Sequence, residues 1–309
     1  MPLPFLRLPE LIQTKVLQNV RPLDLIYISS ISSKSRAIVK RSRKVIDLLT
    51  WNFGSFFGDD MVLESVGGRC ILKFRIDPIV ENVSSMRING EVVPVHRSKD
   101  YCLNIGRSDL SDDERQKLVE QLSDLIFDIF KVKECSLATY DFECKEFVSK
   151  YTKKLKTLQI QNGVLEPDFS DILEEFNVEE LIAYCHLNQK ELVKFNGPLK
   201  VKFLDCVTVD WLSEEALANL ECPKIVLDTY EFNKKDIKRV LRAWKTGGLK
   251  HLEEFVVDSF FPPLRKLRRI LELFQAEQIG EVEFRIQRED GTTANIALNT
   301  HGFEMTIEK

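Results

Sequence analysis

The chain has 309 residues, 44% hydrophobic and 30% charged, which excludes a disordered polymer and is enough for one small domain plus a larger one. No run approaches the roughly 18–20 consecutive apolar residues of a membrane-spanning helix, and Arg7 interrupts the apolar start at residues 3–8 before it could form a signal-peptide core, so an intracellular protein is expected. The net charge of −4 is uneven: residues 1–46 hold nine Lys or Arg against Glu10 and Asp24, leaving +7 there and −11 in the remainder, as though two parts had different tasks.

Pro9 fits the first turn of a helix, where its missing N–H is no loss, and Ile12, Val16 and Val20 recur every four residues with Leu11 and Leu17 alongside. Pro22 opens a second helix with Leu23, Leu25, Ile26 and Ile28 as its apolar positions, and Ser33 can cap a third that contains Ile38 and Val39. Three helices in so few residues bury little surface, so apolar residues left over are expected to meet a partner or the next domain.

The order Leu6-x-Leu8-Pro9, Val16-Leu17, Pro22-Leu23-Asp24-Leu25, Ile28-Ser29 and Ser33-Lys34 resembles the F-box, in particular the branch expanded in nematodes. The resemblance implies a module at residues 1–46 that binds a Skp-type adaptor and, through it, a cullin scaffold and a RING ubiquitin ligase. Leu8 and Pro9 match the family's Leu-Pro opening, and Leu6, Val16, Leu17, Pro22, Leu23, Leu25 and Ile28 match its apolar docking positions. The tryptophan of many F-box third helices is missing, with Ser35-Arg36 near its place.

The basic run Lys34, Arg36, Lys40, Arg41, Arg43, Lys44 could neutralise phosphates, but no aromatic interleaves it and the acidic remainder would repel a polyanion. A solvated helix end, whose cations suit the C-terminal dipole, is the plainer expectation. Residues 47–59 then form an aromatic-rich connector, with Trp51, Phe53, Phe56 and Phe57 expected to wedge the small module against the second domain.

Residues 70–76 and 83–88 have strand character, and Asn89-Gly90 before Glu91-Val92-Val93 signals a hairpin. Ser111-Asp112-Asp113-Glu114 is a capping box for a helix with Leu118, Leu122, Leu125 and Ile129 on one stripe.

From residue 155 strands and helices alternate. Leu158, Leu181, Leu204 and Leu227 stand 23 residues apart; Leu155, Val178, Val201 and Lys224 precede them by three, and Ile160, Ala183, Cys206 and Thr229 follow by two. Leu252, Phe255 and Val257 give a fifth copy displaced by 28, while Lys224 breaks the fourth. The pattern resembles the strand of leucine-rich repeats, although their turning asparagine is absent or misplaced. Helical spacing in residues 169–176, 211–220, 236–244 and 264–274, the last introduced by Pro262-Pro263, completes strand–helix units that must stack to bury their apolar faces. Residues 281–287, 293–298 and 303–307, with Asp290-Gly291 as a turn, are expected as antiparallel capping strands. The expected fold is α/β: a three-helix F-box, then a leucine-rich-repeat-like β/α solenoid with antiparallel strands at its ends. By layout, residues 60–309 resemble the F-box-associated type 2 domain, which implies recruitment of protein substrates.

A search for chemistry finds no Gly-rich phosphate loop, no GxSxG and no HExxH. Seven cysteines, at 70, 102, 135, 144, 185, 206 and 222, form no CxxC pair and suggest small buried hydrophobes rather than disulfides or zinc ligands. His96, His186, His251 and His301 are scattered, and Cys185 and His186, adjacent on a strand, would point to opposite faces. Asp59-Asp60, Asp112-Asp113 and Glu174-Glu175 sit where turns and helix starts would put them. The resulting expectation is a non-catalytic substrate receptor of a Skp–cullin–F-box ligase, without cofactor or metal, cytoplasmic with the nucleus as an alternative. Rival readings are an interaction scaffold unconnected to ubiquitin whose N-terminal helices cap the solenoid, a nucleic-acid binder through residues 34–44, and an unrecognised enzyme.

Overall fold

The computed structural model describes residues 5–54, 60–65, 68–73, 83–99, 102–106, 110–139, 144–161, 168–184, 194–229, 234–259, 264–299 and 302–308. Phe56-Phe57, Asp59, Ile76, Cys185-His186, Pro262-Pro263 and His301 lie outside them. The chain divides into two compact units, Met1–Thr139 and Tyr140–Lys309.

The first unit opens with a 3-10 turn, Phe5–Arg7, followed by α1 (Glu10–Asn19), α2 (Pro22–Ile31) and α3 (Ser33–Ser42). Pro9 stands at the N-cap of α1 and Pro22 at the first position of α2, where neither lacks a needed donor. The cap of α3 is Ser32 rather than Ser33, its hydroxyl accepting from the Ser35 amide at 3.1 Å. Arg43 ends α3 in the left-handed region (φ 48°).

The stretch after α3 is the main difference from the sequence reading. Residues 47–53, expected as a connector, belong to strand β1 (Val45–Phe53), and Trp51 is wholly buried within this unit. The cause is the run of β-branched, leucine and aromatic residues, which fits a pleated, half-buried surface. Strands β2 (Asp60–Ser65), β3 (Gly68–Lys73), β4 (Ser84–Ile88), β5 (Glu91–Lys99) and β6 (Cys102–Ile105), helix α4 (Asp112–Ile129) and strand β7 (Lys131–Thr139) complete the unit. The strand order is β7-β1-β2-β3-β6-β5-β4, with β1 parallel to β7 and antiparallel to β2. Asn89 and Gly90 turn β4 into β5 with φ of 47° and 91°, the doubly positive turn that the Asn-Gly pair favours. Ser111 and Glu114 make the reciprocal capping box, and Leu118, Leu122, Leu125 and Ile129 all face inward. Trp51 Nε1 donates to Ser123 Oγ at 3.1 Å, and its ring stacks on Phe127 of the same helix.

The second unit contains α5 (Lys145–Ser149), β8 (Lys154–Gln161), α6 (Asp168–Glu175), β9 (Asn177–Tyr184), β10 (Phe203–Cys206), α7 (Glu214–Ala218), β11 (Lys224–Thr229), α8 (Lys234–Lys245), β12 (Glu254–Ser259) and α9 (Leu264–Leu273). After them come β13 (Glu277–Gln278), β14 (Glu283–Gln287), β15 (Thr293–Asn299) and β16 (Gly302–Ile307). Strands β8 to β12 are parallel neighbours in chain order, and β16, β15, β14 and β13 continue the sheet antiparallel from β12. Helix α7 is shorter than expected, because Trp211 and Leu212 are spent in a turn and a bridge to Phe195.

The pairing corrects the repeat. Leu158, Leu181 and Leu204 lie side by side, 23 residues apart, but the next partner of Leu204 is Ile225, and Ile225 pairs with Phe255. The fourth copy therefore begins two residues earlier than the leucine spacing suggested. Cys222 takes its first slot, not Lys224, and Leu227 pairs with Cys206 in the last. In this register Leu155, Val178, Val201, Cys222 and Leu252 are all buried, as are Leu158, Leu181, Leu204, Ile225 and Phe255. Leu155 and Leu158 are buried although three apart, a spacing that the two-residue alternation of a flat strand does not give. Ile172, Leu217, Val240, Trp244 and Ile270 supply buried helix residues to this core.

Candidate functional site

Helices α1 to α3 divide their apolar residues unusually. Leu17, Leu23, Leu25, Ile26, Ile38 and Val39 are buried, whereas Leu11 is 67% exposed, Ile12 46%, Val16 42% and Ile31 74%. The inward line of α1 is Gln13 and Leu17, four residues apart; Gln13 is buried because its Nε2 donates to the Leu8 carbonyl at 2.7 Å. The Ile12–Val16 line, the apolar stripe that periodicity marked on α1, faces solvent. Among four exposed aliphatic side chains each left in water, roughly 25 cal/mol per Å2 is available on burial against a partner.

The nine expected docking residues are thus split by position. Pro9 and Val16 are exposed, Leu8 and Ile28 half-buried, and Leu17, Pro22, Leu23 and Leu25 enclosed within the unit. Leu6 lies in the opening 3-10 turn, and its side chain is outside the described residues. Leu11, Ile12 and Ile31 were missed as surface residues. No signal in the sequence marks them: a polar Gln13 one turn before Leu17 argues for the Ile12–Val16 line as the inward one, and the burial of Gln13 depends on the Leu8 carbonyl that accepts its side chain.

The basic run is largely spent inside the unit. Arg36 and Lys40 both meet Asp128 of α4, at 2.8 and 2.6 Å, and Arg41 meets Glu10 at 3.0 Å. Lys44 is buried and donates to the carbonyls of Gln18 and Val20, burial holding its amine below the ordinary lysine value. Residues bound this way are poorly placed to track a phosphate backbone.

Burial pushes the thiols of Cys70, Cys135 and Cys222 up to about 12, the opposite of an activated thiolate. Asp112 and Asp113 occupy the first turn of α4, where the helix dipole favours them. Glu175 pairs with Lys153. His251 borders a groove of about 520 Å3 at the N-terminal ends of β8 to β11, where Lys154 and Lys202 hydrogen-bond Glu179 and hold its carboxyl down at about 2. Among the described residues no three His, Cys, Asp or Glu are arranged to hold a metal ion, and no helix is long and apolar enough to cross a membrane.

No curated protein and no solved structure is significantly similar to the chain. Residues 5–47, which span the opening turn, α1, α2, α3 and the start of β1, match the family model of the F-box domain. An F-box implies a Skp-type adaptor as partner within a cullin-RING ligase, and F-box proteins are generally non-catalytic adaptors.

Proposed function

We propose that the protein is a substrate receptor that docks onto a Skp-type adaptor through the apolar face of α1, with Leu8, Pro9, Leu11, Ile12 and Val16, together with Ile28 and Ile31. The second unit carries the protein to be ubiquitinated. The carrying observation is the exposure of Leu11, Ile12, Val16 and Ile31 while the bundle's own core is filled by other residues. Leu17, Pro22, Leu23 and Leu25 act by shaping the bundle from within. The receptor works by proximity, raising the effective concentration of a target lysine near the ligase's charged conjugating enzyme. A cytoplasmic or nuclear location accompanies this reading.

The parallel strands β8 to β12, with the inward LxxLxL-type slots and intervening helices, support a leucine-rich-repeat-like stack, and the antiparallel β13 to β16 agree with the layout of an F-box-associated type 2 domain. The test is Ile12→Asp with Val16→Asp, co-expressed with a Skp-type adaptor. Both positions are solvent-facing, so the fold should persist by circular dichroism while co-purification is lost. Undiminished co-purification of this folded variant would sink the proposal.

A further inference from the structure

The sheet of the second unit has a second face. Its inward slots are closed by helices, while the alternate positions are half-buried or exposed: Ile182 on β9, Asp205 on β10, Val226 on β11 and Val256 on β12 form one lateral row. Glu304 of β16 pairs with Val256 and extends this row. At the C-terminal ends of the strands, Asp228 stands directly opposite Asp258, and Asp205 lies diagonal to Asp228, since Asp205 pairs with Val226.

Like charges opposite one another destabilise a strand pair, so this arrangement is a cost that folding does not explain. Among the described residues no cation pairs with Asp205, Asp228, Asp258 or Glu304. Asp205 accepts from the Tyr184 hydroxyl at 3.2 Å, and its other oxygen is buried without a hydrogen-bond partner. Burial first, and then the neighbouring aspartate charges, hold the carboxyls of Asp205 and Asp228 above their ordinary value. The lysine on this face, Lys224, is occupied by Glu254 at 2.8 Å. What is left is an apolar row of Ile182, Val226 and Val256 bordered by carboxylates that have no counter-charge among the described residues, a surface complementary to a chain that alternates apolar and cationic side chains.

We infer that the open face of β9 to β12 docks an extended basic segment of a protein partner, its apolar side chains on Ile182, Val226 and Val256 and its Lys or Arg side chains on Asp205, Asp228 and Asp258. This rests on the receptor reading and specifies its substrate class: proteins with a lysine- or arginine-rich extended segment.

The probe is a fluorescein-labelled (Lys-Val)5 peptide, titrated against the full chain in complex with its adaptor and read by fluorescence anisotropy. Decalysine and a (Gly-Ser)5 peptide are the controls. Binding of (Lys-Val)5 well above both controls, weakened by salt and at least tenfold in the Asp205→Asn, Asp228→Asn, Asp258→Asn variant, is the expected result. Ile182→Ala with Val226→Ala should weaken it as well, with each variant's fold verified by circular dichroism. No binding by the parent, equal binding of decalysine, or an unaffected triple variant would overturn the inference. Adaptor co-purification, read in parallel, reports on the F-box alone, so loss of the receptor reading is seen separately from loss of this surface.

Discussion

Arg36 of α3 donates through Nε to Asp128 of α4 at 2.8 Å, a contact between residues 92 apart that ties the F-box helices to the rest of the first unit. Lys40 takes the other oxygen of the same carboxylate, and Arg97 meets Asp24 of α2 at 3.1 Å. The trio is therefore built into the unit Met1–Thr139.

Replacing Asp128 by Asn leaves two cations facing each other. Because the pair is roughly one-third exposed, the expected loss is about 1 kcal/mol, read as a shift of the urea midpoint. Hydrogen bonds from Lys40, set against some burial, and from Arg36 hold the Asp128 carboxyl below its ordinary value. A depressed carboxyl contributes stability above its unfolded value of about 3.9, lost as pH falls through the lower folded one, so parent and variant should converge in acid.

Deleting residues 1–46 tests the same integration. Since α2 and α3 pack on β4 and α4, the remaining part of the first unit should lose solubility, measured by the yield of monomer on size exclusion. A soluble, folded remainder would show that the trio is dispensable.

The repeat register predicts an asymmetry between two residues only two apart. Cys222→Lys places a cation in a wholly buried slot and should cost about 3–5 kcal/mol, whereas Lys224→Ala, on the open face, should cost about 1 kcal/mol or less. Thermal melts of the two variants would decide between this register and the constant 23-residue one.

Asp236, on α8, is fully buried. That burial, opposed by a hydrogen bond to Thr208 and by Arg239 and reinforced by Asp210, raises its carboxyl to about 6. The folded chain thus holds this proton more tightly than the unfolded one, and stability should fall as pH rises from about 4 to about 6. Asp236→Asn should be more stable than the parent at pH 7.5 by about 1–2 kcal/mol, with a flatter pH profile in denaturation.

Gly302 begins β16 with φ 146°, and a Cβ there would come within 1.8 Å of the Val257 carbonyl oxygen. Gly302→Ala should separate β16 from β12 and cost about 3 kcal/mol or more, seen as a lowered melting temperature.

The sequence by itself determined the local devices. The Pro9 and Pro22 starts, the Asn89-Gly90 turn and the Ser111–Glu114 box each depend on residues close together in the chain, and the first three 23-residue copies on a constant spacing, so reading along the chain is enough to find them. The F-box match likewise rests on a contiguous stretch. Only the tertiary structure decided which face of α1 meets water, because Ile12–Val16 and Gln13–Leu17 are both four-residue lines and the choice depends on what α2 and α3 present. The same holds for β1, whose Trp51 finds its burial against α4 some 70 residues away, and for the fourth repeat, where pairing with Leu204 selected Ile225 over Leu227. Burial and pairing partners are properties of distant residues brought together, and spacing along the chain does not record them.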